Sequence, residues 1–138
     1  MTAINYFERA SRDIPVFPLA HWCVRLPLAW IIIYQGQSKI PLSPSDAEAF
    51  VVPFFMWIMA CLGEITAGVL LIIGGIFHNH WIGHLATRVG GLFVAIIVAS
   101  VLVWVYGAPI MDLLLYEQFH VLLMLGGLYF ALRGNEIA

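Results

Sequence analysis

The sequence predicts an all-α integral membrane protein, an up-down four-helix bundle with short loops and both termini on the cytoplasmic side. Three observations carry that expectation. Of 138 residues, 62% are hydrophobic and only 10% are charged, with a mean hydropathy of +0.95. Soluble domains carry about a quarter charged residues, so too little polar surface remains to cover a globule in water. The apolar residues gather into four long runs, each close to the length of about 20 residues that a membrane helix needs. Short links join the runs, which forces neighbouring helices antiparallel. The length fits one small membrane domain, and a net charge of −2 leaves no basic footprint for nucleic acid.

Residues 1–16 are expected to form a cytoplasmic, interfacial segment. Arg9 and Arg12 are offset by Glu8 and Asp13, and the apolar sequence after them runs on into a full span, unlike a cleaved signal. Ile4, Tyr6, Phe7 and Ile14 are suited to touch lipid. The first span is placed at residues 17–35 and ends at "SKIPLSPSDAE", a link with two prolines and helix-capping Ser and Asp. The second span, residues 50–77, leads into the compact "HNHWIG". The third, residues 84–106, stops at the Gly-Pro break "YGAP". The fourth covers residues 109–132, and residues 134–138 are a short cytoplasmic tail.

Trp22, Trp57, Trp81, Trp104 and Tyr106 fall near span ends, as an aromatic belt requires. Arg9, Arg12, Arg88 and Arg133 lie at the amino terminus, the second link or the carboxyl terminus, whereas Lys39 alone marks the first link. The positive-inside rule then puts both termini in the cytoplasm, in a membrane of the bacterial inner type. Gly91, Ala95 and Ala99 repeat every four residues, as do Gly63 with Ala67 and Gly127 with Ala131. Such stripes of small residues let helix backbones approach closely in lipid.

Charges at mid-bilayer cost about 2.5–3.5 kcal/mol on insertion scales and therefore face a bundle interior or a wet cavity. The candidates are Arg25, Glu64, Arg88, Asp112, Glu117 and His120. Asp112 and Arg88 are near enough to span ends to snorkel. Asp112, Tyr116 and His120 recur at i, i+4 and i+8, one face of a continuous helix, with Glu117 three residues before His120. A facing Glu64 would complete a cluster of carboxylates, imidazole and phenol. Two uses of that cluster stand side by side. As interhelical glue, Arg25 pairs with Glu64 or Glu117, His120 donates to a carboxylate, and the network sets bundle register. As a ligand site, Glu64, Tyr116, Glu117, His120 and Arg25 surround the head group of a polar-ended lipid such as a quinone and exchange its proton. Ion or proton conduction is a third use.

Metal chemistry finds less support. His78, His80 and His84 cluster at the second link, where solvated histidines are ordinary, and no HExxH motif or Cys/His spacing marks a zinc site. A bis-histidine haem lacks a partner for His120, because His21 falls near the cytoplasmic edge. Cys23 and Cys61 form no CxxC pair and read as small buried core residues. No metal and no intrinsic cofactor is expected, apart from a bound quinone or lipid.

The order of these features resembles the DoxX/DoxD-like family of small four-helix membrane proteins. An arginine early in the first span, Arg25, precedes "GQSK" (Gly36 to Lys39), a Pro-containing link, and "GEITAGVLLIIGG" with Glu64, Gly68 and Gly74. The resemblance runs from about Arg25 to Ser100, with Arg25, Gly36, Lys39, Glu64 and Gly68 at the motif positions; the fourth span matches less clearly. It implies association with quinone-linked sulfur oxidation, terminal oxidases or oxidative-stress complexes, often beside a separate catalytic subunit. The expected function is thus an accessory, non-catalytic subunit of a membrane redox or energy-converting complex, with other integral membrane subunits and the bilayer as partners. A stand-alone quinone-interacting redox protein is the alternative. A small transporter ranks last, since the sequence carries no evident repeat.

Overall fold

The computed structural model describes residue 17 and residues 19–135. The interfacial segment expected over residues 1–16 and the last three residues of the tail lie outside the described residues. Every regular element among the described residues is helical. In chain order they are α1 (Trp22–Gln37), α2 (Pro44–Ala49), α3 (Phe54–Ile76), α4 (Trp81–Val101), α5 (Ile110–Tyr116) and α6 (Gln118–Arg133). A π-helical turn, Leu102–Tyr106, extends α4.

Two helices are long and apolar enough to cross a membrane: α3 with 23 residues, and α4 with its π turn, 26 residues in all. The second span therefore matches expectation once residues 50–53 are given to the preceding turn. The third begins earlier than expected, at Trp81, because His80 takes the cap position and its Nδ1 accepts the Ile82 N–H at 3.3 Å. Histidine is not among the common capping residues, so this start carries no sequence signal.

The first and fourth spans differ more. Residues 19–21 form a turn, and α1 has only 16 residues, about 24 Å at 1.5 Å per residue against a hydrocarbon core of about 30 Å. The fourth span is not one helix. α5 and α6 meet at an angle of 102°, with Glu117 outside helical geometry at φ −112° and ψ 34°. No Pro or Gly marks the break, so apolar periodicity read straight through it. What stabilises it is local: Gln118 Nε2 donates to the Leu115 carbonyl at 3.1 Å, and Glu117 Oε2 lies 2.9 Å from His120 Nδ1. The first of these bonds engages a carbonyl that a helix end leaves open. α5 also buries none of its residues fully and sets only Leu113 against the core, so little packing holds it in line with α6.

α3 packs antiparallel to α1, α4 to α3, and α6 to α4. Small residues set these crossings. At α4–α6, a side chain on Gly91 would run into the backbone of Gly127 and Ala131, so the small-residue stripes act inside the molecule. One apolar core draws on all four longer helices, with Leu28, Ala29 and Ile32 from α1, Leu71 from α3, Val94 and Val98 from α4, and Phe130 from α6. The outer surface is equally apolar: Trp30, Phe55 and Leu122 are exposed, as lipid-facing side chains are.

Candidate functional site

Near the end of the molecule where α1 stops, a cavity of about 820 Å³ opens between α3 and α4 under the link that carries α2. That volume is within the range of about 300–1,000 Å³ typical of small-molecule sites. Its polar lining includes Lys39, Glu64, Asp46 and His120, with Trp57, Trp104 and Tyr106 beside them. Most of the remainder is apolar, including Met59 and Ala60 of α3 and Phe93, Ile96 and Ile97 of α4.

Glu64 is buried, with 6% of its surface exposed. Its Oε2 lies 2.6 Å from Lys39 Nζ, which also donates to the Gln35 carbonyl at 3.1 Å. Lys39 Nζ stands 5.3 Å from the centre of the Trp57 ring, within cation–π range. The helices that carry this pair approach closely. A Cβ on Gly36 would come within 2.9 Å of the Cys61 carbonyl, and one on Gly68 within 2.8 Å of the Ala29 carbonyl. Cys61 Sγ donates to the Gly36 carbonyl at 3.2 Å. Gly36, Lys39, Glu64 and Gly68 thus sit along one α1–α3 crossing.

His120 reaches the same cavity from α6. Its Nδ1 is hydrogen-bonded to Glu117, and its ring centre lies 5.4 Å from that of Tyr106. An ionised carboxylate only accepts, so with Glu117 in that form Nδ1 is the donor and Nε2 of a neutral ring is left as an acceptor.

Two members of the expected cluster are elsewhere. Tyr116 is 79% exposed on α5; the bend at Glu117 breaks the face it was to share with Asp112 and His120. The phenol near His120 is that of Tyr106. Arg25 pairs with neither Glu64 nor Glu117. It is buried on α1, 14 residues before Lys39 and so nearly four turns away, at 1% exposure. Nη1 donates to the Leu71 carbonyl at 2.7 Å and to Thr87 Oγ1 at 2.9 Å, and Nη2 donates to Asn135 Oδ1 at 2.8 Å. The Thr87 hydroxyl donates to the same Asn135 oxygen at 2.7 Å, while Asn135 Nδ2 donates to the Gly74 carbonyl at 2.8 Å. The Phe130 ring lies 4.7 Å from the guanidinium. This is a fastening between α1, α3, α4 and the end of α6, remote from the cavity.

Sequence reasoning missed Lys39 as the partner of Glu64, and it missed Trp57, Trp104 and Tyr106 as cavity walls by assigning them to a belt. The resemblance put Lys39 and Glu64 in one motif, but no local pattern paired them across a separation of 25 residues. Thr87 and Asn135 carried no signal. Cys61 is buried as expected, but Cys23 is exposed. Among the described residues, no group of three or more His, Cys, Asp or Glu side chains is placed to hold a metal ion. No family model, curated protein or solved structure matches the chain.

Proposed function

We propose that this chain is an accessory subunit of a membrane redox or energy-converting complex, similar to the DoxX/DoxD-like proteins, and that its cavity holds the head of a quinone-class lipid. The observation that carries the reading is the cavity itself, a largely apolar chamber lined by the Lys39–Glu64 pair and by His120, whose Nδ1 is bonded to Glu117. Convergence of Gly36, Lys39, Glu64 and Gly68 on one crossing supports treating them as a single motif. In the bilayer, α1, α3, α4 and the bent α5–α6 pair make a four-helix bundle. Arg25, Arg88 and Arg133 lie at the cytoplasmic end with both termini, and the cavity lies toward the outer face.

The residues on the wall fit such a guest. Lys39 supplies a donor, His120 Nε2 an acceptor, and Trp57 and Trp104 flat surfaces for a ring. A bound quinone supplies two-electron redox chemistry; the protein binds and orients its head and limits water around it. The alternative of a stand-alone quinone-interacting protein draws on the Glu117–His120–Tyr106 contacts, and the broken helix at Glu117 favours the transport alternative.

Purification from native membranes in mild detergent separates these readings. A stoichiometric oxidase or dehydrogenase partner is expected to co-purify. A lone oligomer that retains quinone sinks the accessory role, and a lone chain that moves protons or ions in proteoliposomes establishes the transport role. Glu64→Gln is expected to weaken quinone binding at least severalfold while assembly persists; if it only lowers stability, the ion pair is interhelical glue.

A further inference from the structure

The packing of α3 against α4 changes along their length. Away from the cavity the two helices meet backbone to backbone. A Cβ on Gly74 would come within 2.8 Å of the Thr87 nitrogen, and one on Gly90 within 3.0 Å of the Ala67 carbonyl oxygen. At the cavity end that closeness is lost. A Cβ on Gly63 would meet only the Ile97 side chain, 2.8 Å away at Cδ1, and no backbone atom of α4 within 4 Å. The helices therefore splay apart as they approach the cavity. One turn further out, the antiparallel register brings Ala60 opposite Ser100, and both line the cavity. Neither side chain is long enough to bridge the gap. Met59 and Ile96 line the cavity as well, yet they are 53% and 54% exposed on the outside of the molecule. The cavity thus runs out sideways between α3 and α4 onto an apolar surface.

The end of the cavity is closed instead. The link that covers it is fastened at three points: Lys39 to Glu64 at 2.6 Å, Phe50 stacked on Trp57 with 5.2 Å between ring centres, and the Trp104 indole N–H donating to the Val51 carbonyl at 3.3 Å. A guest arriving from water has to displace that link. A guest dissolved in lipid meets an opening already formed, and its tail passes between walls as apolar as the bilayer it leaves. Its head leaves hydrocarbon for polar partners at Lys39 and Glu64, a gain open only to a guest with a polar end.

We infer that the gap between α3 and α4 is a lateral portal through which the cavity takes a tailed amphiphile from the bilayer. The head turns in toward the Lys39–Glu64 pair, and the tail rests between Met59 and Ile96. This rests on reading the cavity as a ligand site, and it adds the route of entry and the seat of the tail. The test uses the full chain in nanodiscs and a decyl-substituted benzoquinone with a photoreactive diazirine at mid-tail. Labelling that excess unmodified decyl-benzoquinone displaces is expected to fall within residues 55–63 and 93–100. Displaceable label on the link, α1 or α6 overturns the portal, because the guest would then enter or lie elsewhere. Ser100→Leu, which fills the gap from α4, is expected to cut the displaceable label severalfold; unchanged labelling of the folded variant overturns the portal as well. The mapping on the unsubstituted protein stands even if that variant fails to fold. No displaceable label anywhere overturns the ligand-site reading itself.

Discussion

Arg25 shows how a buried cation is accommodated without a carboxylate. Its guanidinium carries five N–H donors in a rigid fork, and the two terminal nitrogens are met by a backbone carbonyl, a hydroxyl and an amide oxygen. Thr87 is central because its oxygen accepts from Arg25 and its proton goes to Asn135. Replacing Thr87 by Val preserves shape and removes both bonds, leaving buried polar groups short of partners. The expected cost is about 1–3 kcal/mol, seen as a lower thermal midpoint in detergent, with Thr87→Ser close to wild type. Equal stability of Thr87→Val and wild type would show that the network contributes nothing. Lys39 and Glu64 differ in kind from this network: they are the paired charges on a cavity wall, where a guest can compete for either partner.

Among the elements, the bend at Glu117 alters the site most. It withdraws Tyr116 and Asp112 from the face of His120 and leaves Glu117 free to bond His120. A distance measurement checks it directly. Spin labels at Ile110 and Leu128 would be about 27 Å apart along a straight helix and about 18 Å apart with the 102° turn. A pulsed dipolar spectrum centred on the shorter distance is expected; one centred on the longer distance restores the continuous fourth span. The α1–α3 crossing is the other element that shapes the cavity. Gly36 and Gly68 bring the two backbones close, and that approach carries Lys39 to Glu64.

For the whole molecule, helix length sets a preference for its surroundings. α1 and α6 have 16 residues each, about 24 Å, whereas α3 and the extended α4 have 23 and 26. A bilayer matched to the longer helices leaves the shorter ones mismatched, at a cost of fractions of a kcal/mol per Å. The protein is therefore expected to be more resistant to thermal unfolding in short-chain than in long-chain phosphatidylcholine vesicles. A preference for the thicker bilayer would mean that α3 and α4 alone govern the match.

The helical class, apolar helices long enough to cross a membrane, the second of them and the inward-facing burial of Glu64 were legible in the residues. Each follows from local quantities: hydropathy summed over a window, small-residue spacing, or the cost of one charge in lipid. The resemblance named Lys39 and Gly68, but no local pattern paired Lys39 with Glu64 or separated Arg25 from both. Those pairings depend on which residues of distant helices come within 3 Å, and the crossings that decide this are set by side-chain volume across the interface. The break at Glu117 arose in the same way. Periodicity describes what a helix would bury, but α5 buries no residue fully and sets only Leu113 against the core, little packing to keep two helical segments in line.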